Sequence, residues 1–158
     1  MHIEDSAARI RDILKQVKAL AAEYYRLSGK PLGVTGEVAE YVAADLMGLD
    51  LAVARTCGFD ATRAVGHDHQ RIQIKGRAFG RKSKRSQRLG MIKRGAPCDA
   101  VMLVLLDNAT LEPVEIWEAS YAAVEMRLAV PGSKARERGS LGIREFKKLA
   151  RQVWPHDA

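Results

Sequence analysis

An α/β sandwich, with a mixed central sheet of four to five strands flanked by helices, is the fold class this sequence predicts. Three observations carry that expectation. Apolar residues recur at helical spacing near both ends of the chain, and strand-like segments lie between them. The run Ala100-Val101-Met102-Leu103-Val104-Leu105-Leu106 is continuously apolar, as expected of a central strand covered on both faces. The 158 residues, 47% of them hydrophobic, suffice for one core, so residues 1–158 are expected to form a single domain.

Ile10, Ile13, Leu14, Val17, Leu20, Ala21 and Tyr24 recur at helical spacing and predict a long amphipathic helix over residues 7–27, ended by Gly29-Lys30-Pro31. Thr35 is placed to cap a second helix whose buried stripe is Val38, Tyr41, Val42 and Leu46, with Gly48 as its stop. Glu37 borders that stripe. Residues 49–56 and 59–65 read as short strands, and Gly66-His67-Asp68-His69 as a turn into the strand that holds Gln73. The apolar run at 100–106 is the next strand, and residues 113–118 supply another that pairs with it. Ser120 caps a short helix through Arg127, residues 131–139 form a loop, and Ser140 caps a last helix. In that helix Ile143, Phe146, Ala150 and Val153 point inward, while Arg144, Lys147, Lys148 and Arg151 point outward. There is no internal repeat.

No segment approaches the roughly 18 uninterrupted apolar residues of a membrane span, and the acidic start Met1-His2-Ile3-Glu4-Asp5 is unlike a basic leader. The expectation is a cytoplasmic protein without a membrane partner. Cys57 and Cys98 lack metal-ligand spacing and read as structural thiols. The formal charge is +7, but residues 71–94 hold ten basic residues (Arg71, Lys75, Arg77, Arg81, Lys82, Lys84, Arg85, Arg88, Lys93 and Arg94) and no acid. The other 16 Lys and Arg face all 19 Asp and Glu, so the excess lies in this one stretch. It reads as a phosphate-backbone surface, the alternative being a solvated loop of like charges that resist packing. Trp117, Tyr121 and Trp154 are expected in or beside the core, leaving only Phe79 near the basic stretch for base stacking. The absence of a Gly-rich phosphate loop argues against a nucleotide-driven motor or kinase.

The candidate chemistry lies in Gly58-Phe59-Asp60-Ala61 and Arg71-Ile72-Gln73-Ile74-Lys75-Gly76-Arg77. Side chains alternate across a strand, so Ile72 and Ile74 face a core while Gln73 and Lys75 emerge together on the other face. If the preceding segment pairs as a hairpin, Asp60 lies beside them. Oxygen ligands next to a lysine are what metal-assisted phosphodiester hydrolysis requires. Taken singly, Asp60 also reads as a strand-end aspartate satisfying turn amides, and Lys75 as a solvated strand lysine. Glu40, one turn from Glu37, is expected on an exposed helix face, and His67 and His69 as turn residues rather than ligands.

These residues, in this order, resemble the core of the PD-(D/E)xK nuclease superfamily, the restriction-endonuclease-like fold. In that family a helix with a glutamate precedes a strand with an aspartate, and a second strand carries an acid or glutamine two positions before a lysine. Glu37, Asp60, Gln73 and Lys75 match those places, and the chain is also similar to bacterial domains of unknown function with this core. The resemblance implies Asp60 as principal ligand of Mg2+ or Mn2+, Gln73 as auxiliary ligand, Glu37 as a direct or water-mediated one, and Lys75 as the group orienting the attacking water. Most members have an acid where this chain has Gln73, which removes one negative charge from the set. The implied function is a metal-dependent endonuclease acting on DNA, of restriction or defence type, with Arg77, Arg81, Lys82, Lys84, Arg85, Arg88, Lys93 and Arg94 on the nucleic-acid surface. Two alternatives stay open: a non-catalytic DNA-binding accessory module of the same fold, and an RNA-directed nuclease or binder. A homodimer is an expectation by resemblance alone.

Overall fold

A computed structural model describes residues 3–29, 31–53, 56–80 and 87–156. Six strands form one mixed sheet in sequential order: β1 (Asp50–Leu51), β2 (Ala61–Val65), β3 (Asp68–Phe79), β4 (Ala100–Asp107), β5 (Pro113–Ser120) and β6 (Arg151–Trp154). Every neighbouring pair is antiparallel except β3 and β4, which run parallel from Ile72↔Ala100 to Phe79↔Asp107. A parallel pair cannot be closed by a tight turn and needs a crossover of a dozen or more residues. The crossover here is residues 80–99, which includes most of the basic stretch.

Both faces of the sheet are covered. On one, α1 (Ile3–Ser28) and α2 (Thr35–Met47) meet Ala61, Ile72, Ile74, Met102, Val104 and Ile116. On the other, Leu89 and Ile92 of the crossover join α3 (Tyr121–Leu128), Leu141 and α5 (Ile143–Lys147) over Val101, Leu103 and Leu105. The apolar run of β4 serves both cores, and Val101 through Leu106 are fully buried. Two glycines position α2. Gly48 closes it in the left-handed conformation at φ 62°. Gly76 admits it to the sheet: a Cβ there would lie 2.5 Å from the Ala39 Cβ and 2.8 Å from the Thr35 carbonyl oxygen.

Several expectations need correction. The sheet has six strands rather than four or five, the additional one being β6 where a helix is expected, and the strand expected over 49–56 is the two-residue β1. Ile143, Phe146, Ala150 and Val153 do fit a helical stripe, yet α5 ends at Lys147 and the chain pairs with β5 at Ile116↔Trp154, where tertiary hydrogen bonding overrides local periodicity. Ser140 does not cap that helix; Gly142 occupies the cap, its N–H donating to the Glu145 carboxylate at 3.3 Å. Thr35 is the first residue of α2 rather than its cap, which is Val34. Residues 131–139 include a one-turn helix, α4 (Lys134–Glu137), whose Ser133 hydroxyl accepts the Arg136 N–H. Ser120 caps α3 as expected, accepting the Ala123 N–H at 3.2 Å. Among the described residues, no helix is long and apolar enough to cross a membrane.

Replacing Gly76 by Ala should destabilise the protein by about 1–3 kcal/mol, since the methyl group forces α2 off the sheet or strains both backbones. Urea unfolding of the variant measures it. An unchanged midpoint would mean that α2 is not held at this close approach.

Candidate functional site

The site begins where β2 leaves β3. Their pairing ends at Ala61↔Ile72, and Asp60 takes over as the chain departs. Its N–H donates to the Ile72 carbonyl at 2.8 Å, its carbonyl accepts the Ala52 N–H at 2.8 Å, and its carboxylate Oδ2 accepts the Ile74 N–H at 2.7 Å. A side-chain oxygen thus replaces the main-chain acceptor that β2 would have offered. Just before it, Gly58 stands at φ 94° with a would-be Cβ only 2.8 Å from the Pro97 Cδ, so only glycine allows the chain to pass the crossover there.

On the helix side, Glu40 follows Ala39, the residue seated against Gly76. It is half-buried rather than on an exposed face, whereas Glu37 is exposed. Burial raises the Glu40 carboxyl above its ordinary value; the neighbouring Asp60 charge adds to this, then the Glu37 charge, and Lys75 opposes them. The three carboxylates and Lys75 therefore share one electrostatic neighbourhood at the edge of β3. Among the described residues, no group of three or more His, Cys, Asp or Glu side chains is arranged to hold a metal ion.

Gln73 and Lys75 alternate onto the face opposite Ile72 and Ile74, as the period of two predicts. That face is not open at Gln73, which is 3% exposed. Its amide oxygen accepts the Lys93 N–H at 3.2 Å and its amide nitrogen donates to the Lys93 carbonyl at 3.3 Å. Tyr121 donates its hydroxyl to the same carbonyl at 2.6 Å and accepts the Ala96 N–H at 3.1 Å. Gln73 thus pins the crossover, with one lone pair of its oxygen left over. Lys75, two residues further along β3, is half-buried beside Gly90.

The basic residues divide. Arg81, Lys82, Lys84 and Arg85 lie outside the described residues. Arg77 donates to the Arg88 carbonyl, and Arg88 donates to the Ser140 hydroxyl at 3.1 Å and the Ser140 carbonyl at 2.6 Å. Arg71 bonds Asp99. These three arginines tie the crossover to the body of the protein, while Lys93 and Arg94 are exposed. Both cysteines are free thiols, Cys98 buried and Cys57 exposed; His67 and His69 are exposed. Tyr121 is buried, Trp117 and Trp154 half-buried.

Two features had little signature in the sequence. Glu145 gathers Arg127 at 2.7 Å, Arg136 at 3.5 Å and Arg88 at 4.0 Å, and Arg63 makes a two-bond pair with Glu118 at 2.8 and 2.9 Å. Each joins residues far apart in the chain, and only the position of Glu145 in the first turn of a helix hinted at it. No family model matches the chain, and no curated protein matches it.

Gln73→Glu should cost about 1–3 kcal/mol, because it buries a carboxylate against the Lys93 carbonyl and removes the donated bond. Comparing urea midpoints of the two proteins tests this, and equal midpoints would show that Gln73 does not hold the crossover. For Glu145, burial works upward, but the Gly142 N–H, Arg127 and Arg136 outweigh it and hold the carboxyl below its ordinary value. A folded-state value below the unfolded one stabilises the protein above the ordinary glutamate value and is lost as pH falls through the lower folded value. Glu145→Gln should therefore flatten the acid limb of a stability–pH profile; a profile parallel to that of the parent protein contradicts the assignment.

Proposed function

We propose that this chain is a metal-dependent endonuclease of the restriction-endonuclease-like fold, hydrolysing DNA phosphodiester bonds in a restriction or defence role. The observation that carries this reading is the fork at β2 and β3, where the Asp60 carboxylate sits on the Ile74 amide, with Glu40 entering from α2 and Lys75 close by.

Magnesium is held through one or two carboxylates, with waters and substrate phosphate oxygens completing its shell. Asp60 and Glu40 would hold the ion, Glu37 would reach it through water, and Gln73 would offer its remaining lone pair. A bound Mg2+ or Mn2+ would stabilise the charge that develops on the scissile phosphate. The chain's own part is then positional. Lys75 orients the attacking water and eases removal of its proton, while the Asp60–Ile74 bond fixes the carboxylate so that little reorganisation accompanies reaction. Lys93 and Arg94 bind phosphates flanking the cut, together with Arg81, Lys82, Lys84 and Arg85.

One observation favours a second reading, a DNA-binding accessory module without catalysis: the oxygen at position 73 is an amide already engaged in holding the crossover. An RNA substrate in place of DNA would use the same basic face.

Supercoiled, linear and single-stranded DNA, and RNA, incubated with magnesium or manganese separate these readings. Cleavage of DNA should require the metal. Asp60→Ala should abolish turnover through lost metal affinity, and Lys75→Ala should stop it with metal affinity retained. Salt-dependent DNA binding with no cleavage under either metal would replace the nuclease by the accessory module, and preferential cleavage of RNA would move the substrate class.

A further inference from the structure

Ile10, Ile13, Val17, Leu20, Tyr24 and Leu27 follow one another in α1 at alternating steps of three and four residues. That is a 3.5-residue repeat, the pattern of a coiled-coil seam rather than of a helix merely leaning on a core. The helix meets its own domain with a different stripe. Leu14 and Ala21 pack into the core below α1, Arg11 pairs with Asp45 at 3.2 Å, and Lys18 pairs with Glu112. That stripe lies about 100° around the helix from the seam. The seam consequently stays open to solvent: Leu20 is 60% exposed and Leu27 71%, and Ile10, Ile13 and Tyr24 are exposed as well.

The outer edge of the seam carries Arg9, Gln16 and Glu23, seven residues apart and all exposed. In an antiparallel pair that sets Ile10 against Leu20 of a second copy and Ile13 against Val17 of a second copy, the same register sets Arg9 beside Glu23 of the second copy and Gln16 beside Gln16. One two-fold axis satisfies the four layers built from Ile10, Ile13, Val17 and Leu20, and both charges. A parallel pair would instead set Arg9 beside Leu14 and Glu23 beside Ser28, so neither charge would meet a counterpart. We propose that α1 joins a second copy of this chain as an antiparallel two-helix seam, making the protein a homodimer through Ile10, Ile13, Val17 and Leu20. The two sites at the β2–β3 forks then belong to one particle.

Sedimentation velocity of the full chain across a wide concentration series should show a dimer. Leu20→Asp should give a monomer with the parent's far-ultraviolet circular dichroism. Arg9→Glu should raise the dimer dissociation constant by about tenfold, since the like charges meet twice across the axis. The double change Arg9→Glu with Glu23→Arg should restore the parent value, although these positions are roughly 21 Å apart along one helix. In a Cys57→Ser background, Gln16→Cys should form a disulfide between copies, a link that only the antiparallel arrangement permits. A monomer at every concentration overturns the proposal, whatever else α1 binds. So does a dimer that survives Leu20→Asp, or one that neither responds to the charge exchange nor cross-links at position 16. If Leu20→Asp fails to fold, the charge exchange decides alone.

Discussion

β3 and β4 run parallel in a sheet whose other neighbours are all antiparallel, and that pairing constrains nearly everything around the site. The chain must travel from the end of β3 back to the start of β4, so a long crossover over one face is unavoidable. Its described part is irregular backbone, which forms no hydrogen-bonded helix of its own. It borrows partners instead. Leu89 donates to the Leu141 carbonyl, Ile92 to the Gly139 carbonyl, and the side chains of Gln73, Tyr121, Arg77 and Arg88 secure the rest. Leu89 and Ile92 then become core residues, and a face that would otherwise be wet is closed.

Concentrating positive charge on such a segment works against folding, because like charges repel and like water. The protein offsets part of this with Glu145 of α5, which lies 4.0 Å from Arg88 while it also pairs with Arg127 and Arg136. At the site the problem has the opposite sign. Glu37, Glu40 and Asp60 crowd one edge, and Lys75 alone among the four carries positive charge.

The order of elements was legible because its signals are local. The run at 100–106 is apolar on every residue, which only a doubly covered strand requires, and Ser120 stands at a helix start with its hydroxyl free to cap. The pairing of Asp60 with the Gln73 strand also followed, since a turn at Gly66 folds the two segments together. What escaped was whatever depended on another part of the chain. Val153 fits a helix by spacing and becomes a strand because β5 offers an open edge. Gln73 is polar and alternates outward, yet the crossover lies over it. Glu40 cannot be separated from Glu37 by periodicity alone, because both flank the stripe that packs on the sheet; the close approach of Ala39 to Gly76 is what turns Glu40 inward. The apolar spacing of α1 marks an amphipathic helix but not which of its residues meet the domain, and Leu14 and Ala21 are the ones inside the α2-side core cluster.

The division of the interior by the sheet bears on how such a chain can change. Side chains of the α2 core and of the crossover core lie on opposite faces of it, and substitutions separated in this way tend to add rather than interact. Stability gained beneath α2 is then free to offset losses on the other face without repacking it. The face that carries Gln73, Lys75 and the crossover can accept costly polar residues, and drift in sequence, on the strength of a core that does not touch it.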